Sequence, residues 1–156
     1  MKNTLILWVS LFTLVFSNFS FADNQVMCLA KNIYYEAGAE SFDGKLAVAQ
    51  VTINRTKYDG YPSSVCGVVK QKRNGTCQFS WFCDTPKPIN KKSKNWQDSL
   101  HVANLFLTHK MSYDKLSDDV IFFHTVSSPF TWVNRYQKHT IVGNHIFYKP
   151  KKKIKA

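Results

Sequence analysis

Glutamate is nearly missing from this sequence. A chain with 21 lysines and arginines and a formal charge of +11 holds only two, Glu36 and Glu40, one helical turn apart. Long apolar runs are missing too. The stretch from about Leu5 to Phe16 falls short of the roughly 20 residues that a membrane span needs, which argues against a stable anchor. There is no CxxC pair and no HExxH, so neither a tight structural zinc site nor a metallopeptidase-type centre is indicated. Repeats are absent, and no nucleic-acid motif accompanies the charge. Basic residues are scattered through loops and the tail, so no nucleic-acid partner is expected.

What is present begins with MKNTLILWVSLFTLVFSNFSFA, in which Lys2 precedes an apolar run and the small residues Ser20 and Ala22 precede Asp23. This pattern predicts a signal peptide over residues 1–22. The remaining residues suffice for one domain with its own core, expected over 23–149 as a monomer, followed by a solvated basic tail at 150–156. Without the leader the formal charge is +10, which favours anionic partners such as lipid head groups or acidic wall polymers. All four cysteines, Cys28, Cys66, Cys77 and Cys83, lie beyond the leader. An even number in an exported chain predicts disulfides. Three pairings are open; Cys77 with Cys83 is favoured because it closes a short loop, leaving Cys28 with Cys66.

Apolar residues at helical spacing (Val26, Leu29, Ile33, Ala37) predict a helix over Gln25–Ala39. A second, over Gly44–Lys57, is apolar nearly all round and should be buried, with Ser41 or Asp43 as its cap. A short helix is expected in SSVCGVVKQ. The Asn74-Gly75 pair in KRNGTCQFSWFC suggests a small hairpin. DTPKPINKKSKN reads as a surface loop and Asn95–His109 as another helix. Residues 119–125 and 140–149 are β-branched and aromatic, which predicts two strands. Helices first and a small β region later give an α+β domain.

On a helical wheel Glu40 falls within the apolar face of the first helix and Glu36 at its edge. A half-desolvated carboxyl near a like charge has a raised pKa, as a general acid at neutral pH requires. The ordinary alternative is two solvated glutamates, or ion pairs with a residue such as Arg55. Ordinary glycosidases place two carboxyls on opposite sides of the scissile bond, whereas residues four apart on one helix share a side. A single acid/base fits better if the substrate supplies its own nucleophile, as the C6 hydroxyl of muramic acid does when it attacks C1. Glu36 is the candidate for that role, and Glu40 a buried partner holding the helix end or tuning Glu36.

Five blocks of sequence carry a resemblance: IYYEAGAES at 33–41, VAQVTINR at 48–55, CQFSWFCD at 77–84, FFHT at 122–125 and GNHIFYK at 143–149. Together and in this order they resemble the spore cortex-lytic, SleB-like cell wall hydrolases, with their YxEARGE, VAxVxxNR, FSW, HF/HY and GxHxFY signatures. The resemblance implies a lysozyme-like α+β domain, mainly helical with a small antiparallel β region, that cleaves peptidoglycan glycan strands as a lytic transglycosylase without a cofactor or metal. It places Glu36 at the acid/base position. One departure stands out: Ala37-Gly38-Ala39-Glu40 lacks the motif arginine, so its work falls to another residue or activity drops.

Aromatic faces stack on sugars. In an extended segment Trp81 and Phe79 would share one side, with Ser80 or Gln78 reaching hydroxyls, although Phe79 and Phe82 serve equally well as core. The family block makes His124 a candidate contact for substrate or glutamate; Tyr148 and Trp132 follow with less weight. Thr125, Ser127 and Ser128 show no nucleophile-and-base pattern. Two rival readings are a zinc amidase drawing ligands from His124, His139, His145 and Glu36, and a basic wall-binding module without activity. The expected location is the periplasm, with release from the cell as the alternative.

Overall fold

A computed structural model describes residues 21–128 and 131–151, with the side chain of Trp132 excluded. The expected leader lies almost wholly outside the described residues, as do the last five residues of the basic tail. Among the described residues no helix is long and apolar enough to cross a membrane.

Helix α1 runs through residues 21–37 and sends Leu29, Ala30, Ile33 and Ala37 into the core. Helix α2, Phe42–Thr56, starts at Ser41, whose hydroxyl accepts from the Gly44 amide at 3.3 Å, the N-cap arrangement. Its buried residues include Leu46, Ala47, Val48, Ala49 and Val51. It is the central helix, packed against α3 (Val65–Lys70), α5 (Lys94–Leu107) and the sheet. Ser64 and Ser93 cap α3 and α5 in the same way. The Cys28–Cys66 disulfide, closing 38 residues of chain, joins α1 to α3.

Strands β1 (Lys72–Arg73) and β2 (Thr76–Cys77) form the expected hairpin about Asn74-Gly75. The chain then departs from expectation. Ser80–Cys83 is a helical turn, α4, rather than extended. The Cys77–Cys83 disulfide brings the two Cα atoms to 5.9 Å, whereas six extended residues would span about 20 Å. The turn sends Phe79 into the core and leaves Trp81 half-buried, though both still line one cavity.

The second sheet is antiparallel in the order β3-β5-β4, with β3 Phe122–Thr125, β4 Tyr136–Val142 and β5 His145–Pro150. The single strand expected over 140–149 is therefore the end of β4, a two-residue turn and β5. Gly143-Asn144 makes that turn, with Gly143 at φ 56°, the left-handed conformation that hairpin loops reserve for glycine. Strand β5 is central: it pairs with β3 on one side and β4 on the other, and its Phe147 and Tyr148 are buried on opposite faces.

Candidate active site

Glu36 sits on the last turn of α1, half-buried where three cavities meet. One, of about 340 Å³, lies toward Arg55, Phe79, Phe123 and Tyr136. Another, of about 460 Å³, lies toward Gln78, Ser80, His124 and His145. The third, of about 530 Å³, runs past Tyr35, Trp81, Asp84 and Lys87. Since Glu36 lines all three, they adjoin at this residue as one groove. Burial pushes the Glu36 pKa up to about 7, only partly offset by the positive charge of Arg55.

Glu40 is not on the helix. The helix stops at residue 37, the Glu40 amide donates back to the Ala37 carbonyl at 3.0 Å, and its carboxylate reaches the β4–β5 turn. There Oε2 accepts from the Asn144 amide and Oε1 from the Asn144 side chain, each at 3.0 Å. Burial opposes ionisation, but these bonds, with His145 and Lys45 nearby, hold the Glu40 carboxyl below its usual range. The helical wheel misplaced Glu40 because it assumed one more turn of helix. Like-charge repulsion is not what raises Glu36; desolvation is. The two carboxyls end with pKa values pushed apart, which is the mark of distinct roles.

The missing motif arginine has a local reason. A Cβ added at Gly38 would lie 2.3 Å from the Tyr34 carbonyl oxygen, so this course of the backbone accepts no side chain there. A cation still stands close by: the ammonium of the buried Lys45 donates to the Glu40 carbonyl at 2.6 Å.

Trp81 forms one wall of the groove. Its ring stacks on Tyr35 at 4.7 Å and 26°, and its Nε1 donates to Asn32 Oδ1 at 3.0 Å. Asn32 in turn donates to Thr52 Oγ1 at 3.1 Å, and that hydroxyl to the Val48 carbonyl at 2.9 Å. A continuous polar thread through the core thus fixes α4 against α1 and α2. Asn32 and Thr52 were not legible as site residues, because a single buried polar residue in an apolar helix carries no spacing signal. Ser80 is exposed at the groove rim.

On the sheet side, His124 lines the groove. Its Nδ1 lies 2.8 Å from the Thr125 carbonyl and its Nε2 2.9 Å from the Tyr148 hydroxyl. The first contact requires a proton on Nδ1, so in the neutral ring Nε2 accepts from Tyr148. Tyr148 is thereby a support for His124 from inside the core. His145 is buried, and its Nδ1 has no partner. His139 instead contacts the Lys115 carbonyl at 3.2 Å. Among the described residues no three His, Cys, Asp or Glu side chains are grouped as metal ligands, so the ligand set considered for zinc is not gathered.

Comparison with known proteins places the chain in a family. Residues 39–148 match the cell wall hydrolase family, a stretch that begins just past Glu36. The spore cortex-lytic enzymes of Bacillus subtilis and Oceanobacillus iheyensis are 26% and 24% identical over 129 residues, covering 81% and 83% of this chain. The chain aligns with only 38% and 43% of those two proteins. The catalytic domain of the germination-specific lytic transglycosylase SleB from Bacillus anthracis superposes with a TM-score of 0.62 at 20% identity, over 81% of this chain and 94% of that one. The catalytic domain of Bacillus cereus SleB gives 0.58 at 21% identity. With the family match spanning most of the folded region and the same architecture recurring in both solved domains, the chain belongs to the cell wall hydrolase family.

Proposed function

We propose that this protein cleaves the MurNAc–GlcNAc bond of peptidoglycan as a lytic transglycosylase, with Glu36 as sole general acid and base. The observation that supports this is the contrast among carboxyls. Glu36 is pushed up to about 7 in the groove, whereas Glu40, Asp43 and Asp119 are held below their usual range. Glu40 is bonded to Asn144 and so is not available as a nucleophile.

In the first half of the reaction the Glu36 proton moves to the glycosidic oxygen, the C1–O bond breaks and its electron pair leaves with the GlcNAc O4. In the second, the muramic acid C6 hydroxyl oxygen bonds to C1 and its proton returns to the Glu36 carboxylate. The products are a 1,6-anhydro end and a free 4-hydroxyl. Protonated Glu36 starts the cycle and is restored by it, so a pKa near the working pH serves both halves. The aromatic wall of Trp81 and Tyr35 suits sugar faces, and the positive charge suits an anionic wall. Two disulfides and the leader-like start support a site of action outside the cytoplasm, in the periplasm.

One observation favours a second reading: Asp84 lines the same cavity as Glu36 and could activate water instead, giving reducing ends. Mass analysis of a sacculus digest separates the readings. Anhydromuropeptides from the wild type and none from Glu36→Gln support the transglycosylase; reducing ends lost in Asp84→Asn support hydrolysis; released peptides would indicate an amidase. Sacculus binding without soluble products would leave only a wall-binding module.

A further inference from the structure

Arg55 is buried in α2, yet among the described residues no carboxylate lies within ion-pair distance of it. Its Nε donates to the Ile121 carbonyl at 2.8 Å, and Nη1 is buried without a partner. The guanidinium carbon lies 5.1, 5.6 and 5.9 Å from the ring centres of Phe79, Tyr61 and Phe123. Aromatic faces offset part of the cost of burying a cation, but a buried charge with an unmet donor remains expensive. Such a group persists where a negative charge elsewhere benefits from it. Arg55 and Glu36 line one cavity whose other walls are largely aromatic.

We propose that Arg55 is a positioning residue, a fixed counter-charge held behind Glu36 that keeps the carboxylate form accessible while the proton resides on the sugar. This rests on the acid/base reading of Glu36. No other group facing that carboxyl can do the same work. Glu40, on the same segment, is committed to Asn144, and Tyr35, also beside it, is neutral at working pH. From the loop after α4, Asp84 repels a carboxylate and Lys87 is solvent-exposed, so its charge is screened. From the sheet come Tyr136, His124, whose ring nitrogens are engaged, and His145, whose pKa burial lowers. Arg55 alone among them is permanently charged and shielded from water.

Because the chain has two glutamates, the full protein labelled with glutamate carrying 13C at the side-chain carboxyl gives two titrating signals. Arg55→Gln keeps a donor for Ile121 but removes the charge; Arg55→Lys keeps the charge. In Arg55→Gln the Glu36 midpoint should rise by about one unit, with the alkaline limb of the kcat/KM profile moving by the same amount and the Glu40 signal still. Arg55→Lys should return the midpoint toward that of the wild type. An unchanged midpoint in Arg55→Gln, or one as high in Arg55→Lys, overturns the proposal. Should Arg55→Gln not fold, the wild-type Arg55 15Nε resonance still decides: it must titrate with the Glu36 midpoint, and a flat response overturns the coupling. Failure of the acid/base reading shows separately, as retained lytic activity in Glu36→Gln.

Discussion

A carboxyl with a pKa of about 7 weakens the protein that carries it. The folded pKa of Glu36 lies above its ordinary value of 4.5, so the native state binds more protons than the unfolded state between those two values. Stability therefore falls as pH rises through that window, and the whole cost is present above it. At about 1.4 kcal/mol per unit, Glu36→Gln should gain up to about 3 kcal/mol at about pH 8 and almost nothing at about pH 4. Chemical denaturation at the two pH values checks this. The same variant should lose at least about 100-fold in lytic rate, and wild-type kcat/KM should decline above pH about 7 as Glu36 loses its proton. Equal stabilisation at both pH values would show that the side chain is not desolvated. At this scale the sequence was partly legible. The rarity of glutamate singled out Glu36 and the VAQVTINR block brought in Arg55, but nothing in the spacing set Asn32 or Thr52 apart, because their value lies in partners 20 to 49 positions away.

The elements that form the groove wall are held by short-range devices. Cys77–Cys83 closes a loop of six residues around Ser80 and Trp81, and Cys83 is exposed, while Cys28–Cys66 is buried and closes 38. Loop-closure entropy assigns about 2 kcal/mol to the first and about 4 to the second. Replacing Cys77 and Cys83 together by serine should raise KM for sacculi severalfold with the smaller loss of Tm; replacing Cys28 and Cys66 should cost stability first. Steady-state kinetics beside thermal melts separates them, and equal losses of Tm would contradict it. The turn of the second hairpin offers a sharper case. A Cβ at Gly143 would fall 2.3 Å from Glu40 Oε2 at φ 56°, so Gly143→Ala should cost about 2 kcal/mol or more and free Asn144 from Glu40, visible as a shifted Asn144 side-chain amide signal. Two features here were readable and missed. Gly143-Asn144 is a two-residue hairpin signal and would have divided the strand expected over 140–149. The favoured Cys77–Cys83 pairing already excluded an extended Ser80–Cys83. Helix α2, by contrast, announced itself through its apolar run after Ser41, and α5 through the spacing of its apolar residues.

For the whole molecule, an α+β architecture was legible because helical periodicity gives way to β-branched runs two-thirds along the chain. The order of strands in the sheet was not, since it depends on which strand buries both its faces. Net charge acts at this scale as well. With +11, attraction to an anionic wall should dominate capture, so raising ionic strength from about 0.1 M to about 1 M, which shortens the screening length from about 10 Å to about 3 Å, should reduce sacculus binding by about tenfold. Pelleting assays measure it, and salt-independent binding would assign capture to the groove alone. The bond from Glu40 to Asn144 spans 104 positions. A ribosome must therefore translate past Asn144 before Glu40 can close on its mate, so the segment after α1 is pinned only once the second hairpin has been made.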